Sequence, residues 1–347
     1  MLATTEVKHG MFFGHQYIVK ALVVVFGCMI SSLPASAVGK DDSVIPMPAH
    51  LLGLMASAVR EDNYQGEFTY EYSGNVNAYQ ITHAVIDGIE REKIYPLNGT
   101  KTEIVRSGRS LECGTIGGKL LSGLKITSSD GLEFSLEKNY HFVLREKDRI
   151  ADRDAWVMQL IPRDEHRLGV SVAMDASSYL PLRYLVFNSE KKLVERLQFV
   201  SLKNNVSLTD ADFEIDKAAL SIVTPSSLCV KDSYTPAGHS PWKPAWLPRG
   251  FLHTGYSYSE EDGYMETYTD GLGAFSVFVK PAEVTPSSQS NRLEQGVAQK
   301  GASVAILNIV PIDSVPLQVS VVGEIPRATA QKIALSLRKF VPHSSRD

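Results

Sequence analysis

From Gly66 onward the apolar positions recur every second residue. In "GEFTYEY" Phe68, Tyr70 and Tyr72 fall on one side of an extended backbone, and Glu67, Thr69 and Glu71 fall on the other, the pattern of a half-buried strand. Short runs of the same kind follow to about Asn204: "YQITHAVIDG", "EREKIYPLNG", "TEIVRSGRS", "HFVLREKD", "DAWVMQLIPRD", "LGVSVAMD", "LPLRYLVFN" and "LVERLQFVSL". No helical period long enough for a crossover interrupts them, so the pattern predicts an antiparallel meander curled into a barrel or half-barrel. One helix precedes it, in "AHLLGLMASAV", where Leu51, Leu54, Met55 and Ala58 recur at spacings of three and four.

A second region begins after a break. Five prolines lie in "TPSSLCVKDSYTPAGHSPWKPAWLP", residues 224–248, and prolines at that density exclude a sheet ladder. Alternation then returns in "GYMETYTDGLGAFSVFVKP", with Asp270-Gly271 as a turn and Phe275, Val277 and Val279 on one face. Two more strands, "SVAILNIV" and "LQVSVVGEI", lead to a closing helix in "PRATAQKIALSLRKF". Its expected apolar stripe is Ala330, Ile333, Leu337 and Phe340. The fold class expected is therefore α+β and mostly antiparallel β: an open barrel with helices, then a smaller C-terminal sheet covered by one helix.

The first 37 residues change the picture of where the protein works. Lys20, the apolar run Ala21 to Ile30 and the small residues of "SSLPASA" read as an export signal cleaved after Ala37. Two variants stay open: translation from Met11, and a lipoprotein signal at Cys28. The apolar run is too short to cross a bilayer's roughly 30 Å core. The expected organisation is residues 1–37 signal peptide, 47–223 first domain, 224–243 linker and 244–342 second domain.

At 347 residues the chain has the length of two domains, and its net charge of −4 falls by one more when the leader takes Glu6, Lys8 and Lys20 with it. A mildly acidic chain offers no basic footprint for nucleic acid. Cys113 and Cys229 would be the two cysteines of the exported protein, and in an oxidising compartment they are a candidate disulfide closing a long loop, although nothing local fixes the pairing.

Catalytic and metal templates fail. There is no G-x-S-x-G, H-E-x-x-H or C-x-x-C, and the histidines are too dispersed for metal-ligand spacing. "GTIGGKL" lacks the spacing of a phosphate loop. "RDEHR", Arg163 to Arg167, could be read as an acid-base cluster, but a solvated hairpin tip explains it without chemistry. Asp175 in "VAMDASSYLPLRYLVFN" poses the same choice, and there the turn composition favours a capping carboxylate in a hairpin over a lone catalytic acid. Neither enzyme activity, cofactor nor metal is expected.

Several segments together resemble the RseB/MucB family of periplasmic regulators of the sigma-E envelope-stress response: "YQGEFTYEYSG", "RIADRDAWVMQLIPRD" running into "MDASSYLPLR", "PAWLPRGF", "YTDGLGAFSVFV" and "VVGEIPRATAQKIA". They stand in the same order over residues 47 to 340. The resemblance implies a first domain similar to the lipoprotein carriers of the LolA/LolB type and a smaller second domain that binds a partner. It also implies that the partner is the periplasmic region of a single-pass anti-sigma factor of the RseA/MucA type. The protein would shield that region from proteolysis, and lipopolysaccharide or lipoprotein acyl chains would release it. Homo-oligomerisation stays open, and the periplasm is the expected location.

Candidate residues follow from the alternation. Phe68, Tyr70, Tyr72, Trp156 and Met158 are expected to line a ligand groove, with ordinary core as the plain reading. Tyr268, Phe275 and Phe278 are expected partner contacts, core packing being the plainer role for Phe275. The competing function class is a periplasmic lipid or lipoprotein carrier, for which the aromatic face would be the lumen.

Overall fold

The structure, a computed structural model, describes residues 47–99, 102–108, 136–215, 221–222, 240–282 and 296–340. Cys113 and Cys229 lie outside the described residues, as do the leader, most of the linker and "GTIGGKL". Pro48 opens α1 (Pro48–Glu61), where its missing N–H costs nothing, and Leu51, Leu52, Met55, Ala58 and Val59 are buried along one side. The expected first helix is there.

The alternating runs form β1 (Tyr64–Tyr72), β2 (Asn75–Ile86), β3 (Ile89–Pro96), β4 (Thr102–Ser107), β5 (Tyr140–Leu144), β6 (Asp148–Ile150), β7 (Arg153–Pro162), β8 (Gly169–Asp175), β9 (Pro181–Phe187), β10 (Leu193–Asn204) and β11 (Ser221–Ile222). A four-residue helix, α2 (Leu136–Asn139), precedes β5. The strands make one sheet in the order β11-β4-β3-β2-β1-β10-β9-β8-β7-β5, with β6 beside β7. Its end strands do not pair with each other, so the barrel is open. All its ladders are antiparallel except β11 on β4. Residues of α1 pack with Phe68, Ile81, Ile94, Met158, Leu197 and Phe199 in a single apolar core.

The hairpin around Asp175 is formed by β8 and β9. Asp175 Oδ1 accepts from the Ser177 and Ser178 backbone N–H groups, both at 2.8 Å, and from the Ser177 hydroxyl, while Arg153 pairs with Oδ2. Burial alone would raise this carboxyl; those donors outweigh it and hold the pKa at about 2. The carboxylate builds the turn.

The second sheet is six-stranded: β13 (Leu252–Ser259), β14 (Gly263–Thr269), β15 (Ala274–Pro281), then β18 (Val315–Gly323), β17 (Ser303–Ile312) and β16 (Gly296–Lys300). A two-stranded ribbon pairs β12 (Trp242–Pro244) with β19 (Leu337–Lys339), so the proline-rich stretch expected to exclude a ladder does enter one, with Pro244 at the strand's end. Helix α3 (Arg327–Leu335) packs on β17 and β18 through Ala330, Ile333 and Ala334.

Here the expected closing helix needs correction. It stops at Leu335, because Leu337 to Lys339 find strand partners in Trp242 to Pro244. Leu337 is still fully buried, whereas Phe340 lies at the surface with the Lys243 ammonium 4.3 Å from its ring centre. Strands β13 and β16 were not anticipated. Strand β16 is mostly exposed and β13 buries only Ser257, so neither has an apolar buried face to mark it.

Candidate functional site

The inner face of β1 runs from Tyr64 through Phe68 and Tyr70 to Tyr72. Phe68 stacks on Tyr79 at 5.4 Å and meets Phe199 at 5.6 Å, and it is closed in the core. Tyr70 is also buried and lies 5.2 Å from the ring of Tyr72. On β7, Met158 is fully buried, while Trp156 is half-buried with the Lys147 ammonium 4.2 Å from its ring centre. Of the five expected groove residues, then, Phe68, Tyr70 and Met158 sit in packed core, and Tyr72 and Trp156 retain access to solvent.

The far end of that row meets the second sheet. A cavity of about 340 Å³ opens where Tyr72, Glu71, Leu193, Glu195 and Arg196 face Gln299 and the turn between β16 and β17. Glu195 Oε2 accepts from the Ala302 N–H at 3.0 Å, and the Lys300 ammonium stands 5.0 Å from the Tyr72 ring centre. Gly301 between them has φ +58°, and a Cβ there would lie 2.7 Å from Glu195 Oε2. Glycine eases both the backbone and the approach at this turn. Burial, reinforced by Glu195, pushes the Tyr70 hydroxyl well above its ordinary pKa, so it stays a neutral donor.

A second contact clasps the sheets together. The hairpin tip between β7 and β8 carries Arg167, which is 2 % exposed. Its Nε donates to Asp270 Oδ2 at 2.7 Å, Nη1 to Asp164 and Nη2 to the Arg249 carbonyl, and Phe251 lies 5.1 Å below the guanidinium. Asp270 is wholly buried. Its Oδ2 also accepts from the Tyr140 hydroxyl at 3.0 Å, and its Oδ1 accepts from the Leu272 and Gly273 N–H groups. Beside it His166 Nδ1 lies 3.2 Å from Thr329 Oγ1 and its ring meets Trp246 edge-on at 5.0 Å.

This corrects the reading of "RDEHR" as a solvated tip at the end of the segment. Arg163, Asp164 and Glu165 are exposed as a hairpin tip should be, whereas Arg167 is a buried plug met by Asp270, 103 positions away. The turn at Asp270-Gly271 was legible from composition, but its partner was not.

Of the expected partner contacts, Tyr268 and Phe275 are buried and stack at 5.2 Å on the side of the small sheet that its core occupies. Phe278, on the opposite face of β15, is half-buried. Among the described residues no three His, Cys, Asp or Glu side chains are placed to hold a metal, and no helix is long and apolar enough to cross a membrane.

A further buried ionic group lies at the other end of β1. Tyr64, His83, Glu92 and Arg106 are register partners across β1 to β4 and so share the inner face. His83 Nδ1 is 2.8 Å from the Asp62 carbonyl, and its ring stacks on Tyr64 at 4.8 Å. Arg106 Nη2 is 3.0 Å from Glu92 Oε2 but not aligned as a hydrogen bond. The Tyr64 hydroxyl, Glu92 Oε2 and Arg106 Nε and Nη2 have no hydrogen-bond partner.

What fold and site define is a class: a protein of two main sheets, almost wholly antiparallel, clasped by buried polar contacts. Comparison with known proteins narrows it. A family model for the MucB/RseB N-terminal domain matches residues 47–220, and one for the MucB/RseB C-terminal domain matches residues 236–338. The chain belongs to the MucB/RseB family. It is 30 % identical to the sigma factor AlgU regulatory protein MucB of Pseudomonas aeruginosa, over 83 % of this chain and 89 % of that protein. It is 27 % identical to the sigma-E factor regulatory protein RseB of Escherichia coli, over 92 % and 96 %. A crystal structure of MucB in complex with MucA(peri) aligns at 30 % identity with a TM-score of 0.66, covering 85 % of this chain and all of that one. MucB alone aligns with a TM-score of 0.57 at 29 % identity, over 84 % of this chain and 98 % of the other.

Proposed function

We propose that this protein is a periplasmic regulator of an envelope-stress sigma factor. It binds the periplasmic region of a single-pass anti-sigma factor, shields it from regulated proteolysis and releases it when lipopolysaccharide or the acyl chains of a mislocalised lipoprotein bind. The observation that carries the reading is the match across both domains to relatives named as sigma factor regulatory proteins, one of them solved in complex with MucA(peri). Among the described residues, the buried pair Arg167 and Asp270 clasps the two sheets and Asp175 builds a turn.

Release requires only that the lipid bind better to the partner-free form, and it shifts the equilibrium by that difference in affinity and by no more. The half-buried Tyr72, at the end of the β1 row, and Trp156 on β7 are the proposed points of entry for the ligand. A pull-down from envelope extract with residues 38–347 as bait tests the partner, and recovery of no single-pass anti-sigma protein would sink the reading. Lipid uptake by Tyr72→Ala and Trp156→Ala tests the groove, which is misplaced if both variants stay folded and bind acyl chains as the parent does. A carrier of lipids or lipoproteins would instead transfer a labelled lipoprotein between membranes.

A further inference from the structure

Strand β13 is an edge of the small sheet and pairs only with β14 among the described residues. One side of its backbone is therefore open to another strand, the geometry by which sheets capture extended peptides. The side chains along it are not those of a protected edge. Tyr256 and Tyr258 come from β13 and Tyr264 from β14, with ring centres 6.4 Å apart for Tyr256 and Tyr264 and 4.8 Å apart for Tyr258 and Tyr264. Tyr258 is half exposed, at 51 %.

Two features give this aromatic strip a charge preference. The turn joining the strands is Glu260-Glu261-Asp262, all exposed, and the Lys280 ammonium donates 3.0 Å to the Glu261 carbonyl. Glu266 is cross-strand from Tyr256 and only 2 % exposed. One of its oxygens accepts from the Tyr268 hydroxyl, and the other, Oε1, has no donor. A buried carboxylate oxygen without a donor is costly, and a cation brought to it recovers that cost.

We propose that this edge is a docking strip for an extended, arginine-bearing segment of a partner protein. The segment adds a strand to β13, and one arginine lies over the tyrosines with its N–H groups toward Glu266. Arginine fits better than lysine because its flat guanidinium can stack on a ring and donate in the same plane. The acidic turn steers such a segment and repels an acidic one. The inference goes beyond the regulator reading and does not depend on which protein is the partner.

The test titrates residues 38–347 with two short capped peptides, one alternating arginine with valine and one alternating glutamate with valine. The arginine peptide is expected to bind and the glutamate peptide not to. Tyr258→Ala, at a half-exposed position that tolerates truncation, should weaken binding about two- to fivefold, the scale of an exposed cation–π contact, while Tyr258→Phe retains it. Glu266→Gln should weaken it further. Equal binding of both peptides, or an arginine peptide indifferent to Tyr258→Ala, overturns the proposal. So does self-association of the parent that Tyr258→Ala abolishes, since a second copy would then own the edge. Because the probe is not the anti-sigma segment, each of these three failures leaves the regulator reading standing.

Discussion

The molecule buries two groups of opposite charges and treats them differently. At the clasp, Arg167 and Asp270 have every polar atom engaged: three nitrogens donate, and two oxygens accept from four groups. At the Tyr64 end of β1, Tyr64, Glu92 and Arg106 are also buried, with Arg106 3.0 Å from Glu92, but leave four atoms without hydrogen bonds. The first arrangement fixes two sheets in one geometry. The second draws little from burial and pairing, because desolvation there is repaid only in part.

The largest test of that contrast is Asp270→Ala. It leaves a buried guanidinium without its main partner and removes the acceptor for Tyr140 and for its own turn. A loss of about 3–5 kcal/mol in urea unfolding is expected. A loss below about 1 kcal/mol would mean that the clasp is not closed in solution. The paired change Glu92→Leu with Arg106→Met removes the closest ion pair of the other group and leaves Glu90 beside His83. It should cost no more than about 1 kcal/mol or be stabilising, because imperfectly met charges are exchanged for packing. A large loss there would show that the row is better satisfied than its geometry suggests.

The remaining effects are in pH. Asp175 titrates near 2 in the folded protein, below the ordinary carboxylate value of about 3.9, so it contributes stability that is complete above about pH 4 and lost as pH falls toward 2. Glu92 has the opposite sign. Burial raises its pKa, with Arg106 and His83 pulling it down, so its ionisation costs stability as pH rises through its folded-state value, and acidification relieves that cost. Unfolding midpoints of Asp175→Asn should lose the acid-side fall, and those of Glu92→Gln should lose the acid-side relief. The same slopes in both variants would contradict the assignment.

Strands such as β1 and β10 were legible because one face is buried and the residues alternate accordingly, as from Phe68 to Tyr72 and from Glu195 to Phe199. Helix α1 was legible through its repeat of three and four. Strands β13 and β16 stayed invisible because neither has an apolar buried face to mark it. The last helix was read too long since Leu337 satisfies a helical repeat equally well as a buried residue of β19. The clasp was beyond reach for a different reason. "RDEHR" and "TDGLG" each have the composition of an exposed turn, and only their pairing across 103 residues turns them into a buried contact. Of the candidate groove, alternation found the right faces, but it cannot distinguish a filled interior from an open one, which is why Phe68 and Met158 looked the same as Tyr72.

The central claim is that this chain works by binding an anti-sigma factor and letting go in response to lipid. Calorimetric titration of residues 38–347 with the periplasmic segment of the host's anti-sigma factor, with and without lipopolysaccharide, tests it directly. Tight binding that lipopolysaccharide weakens is the predicted result. Absence of binding by a folded protein that still takes up acyl chains would contradict it and favour a lipid carrier.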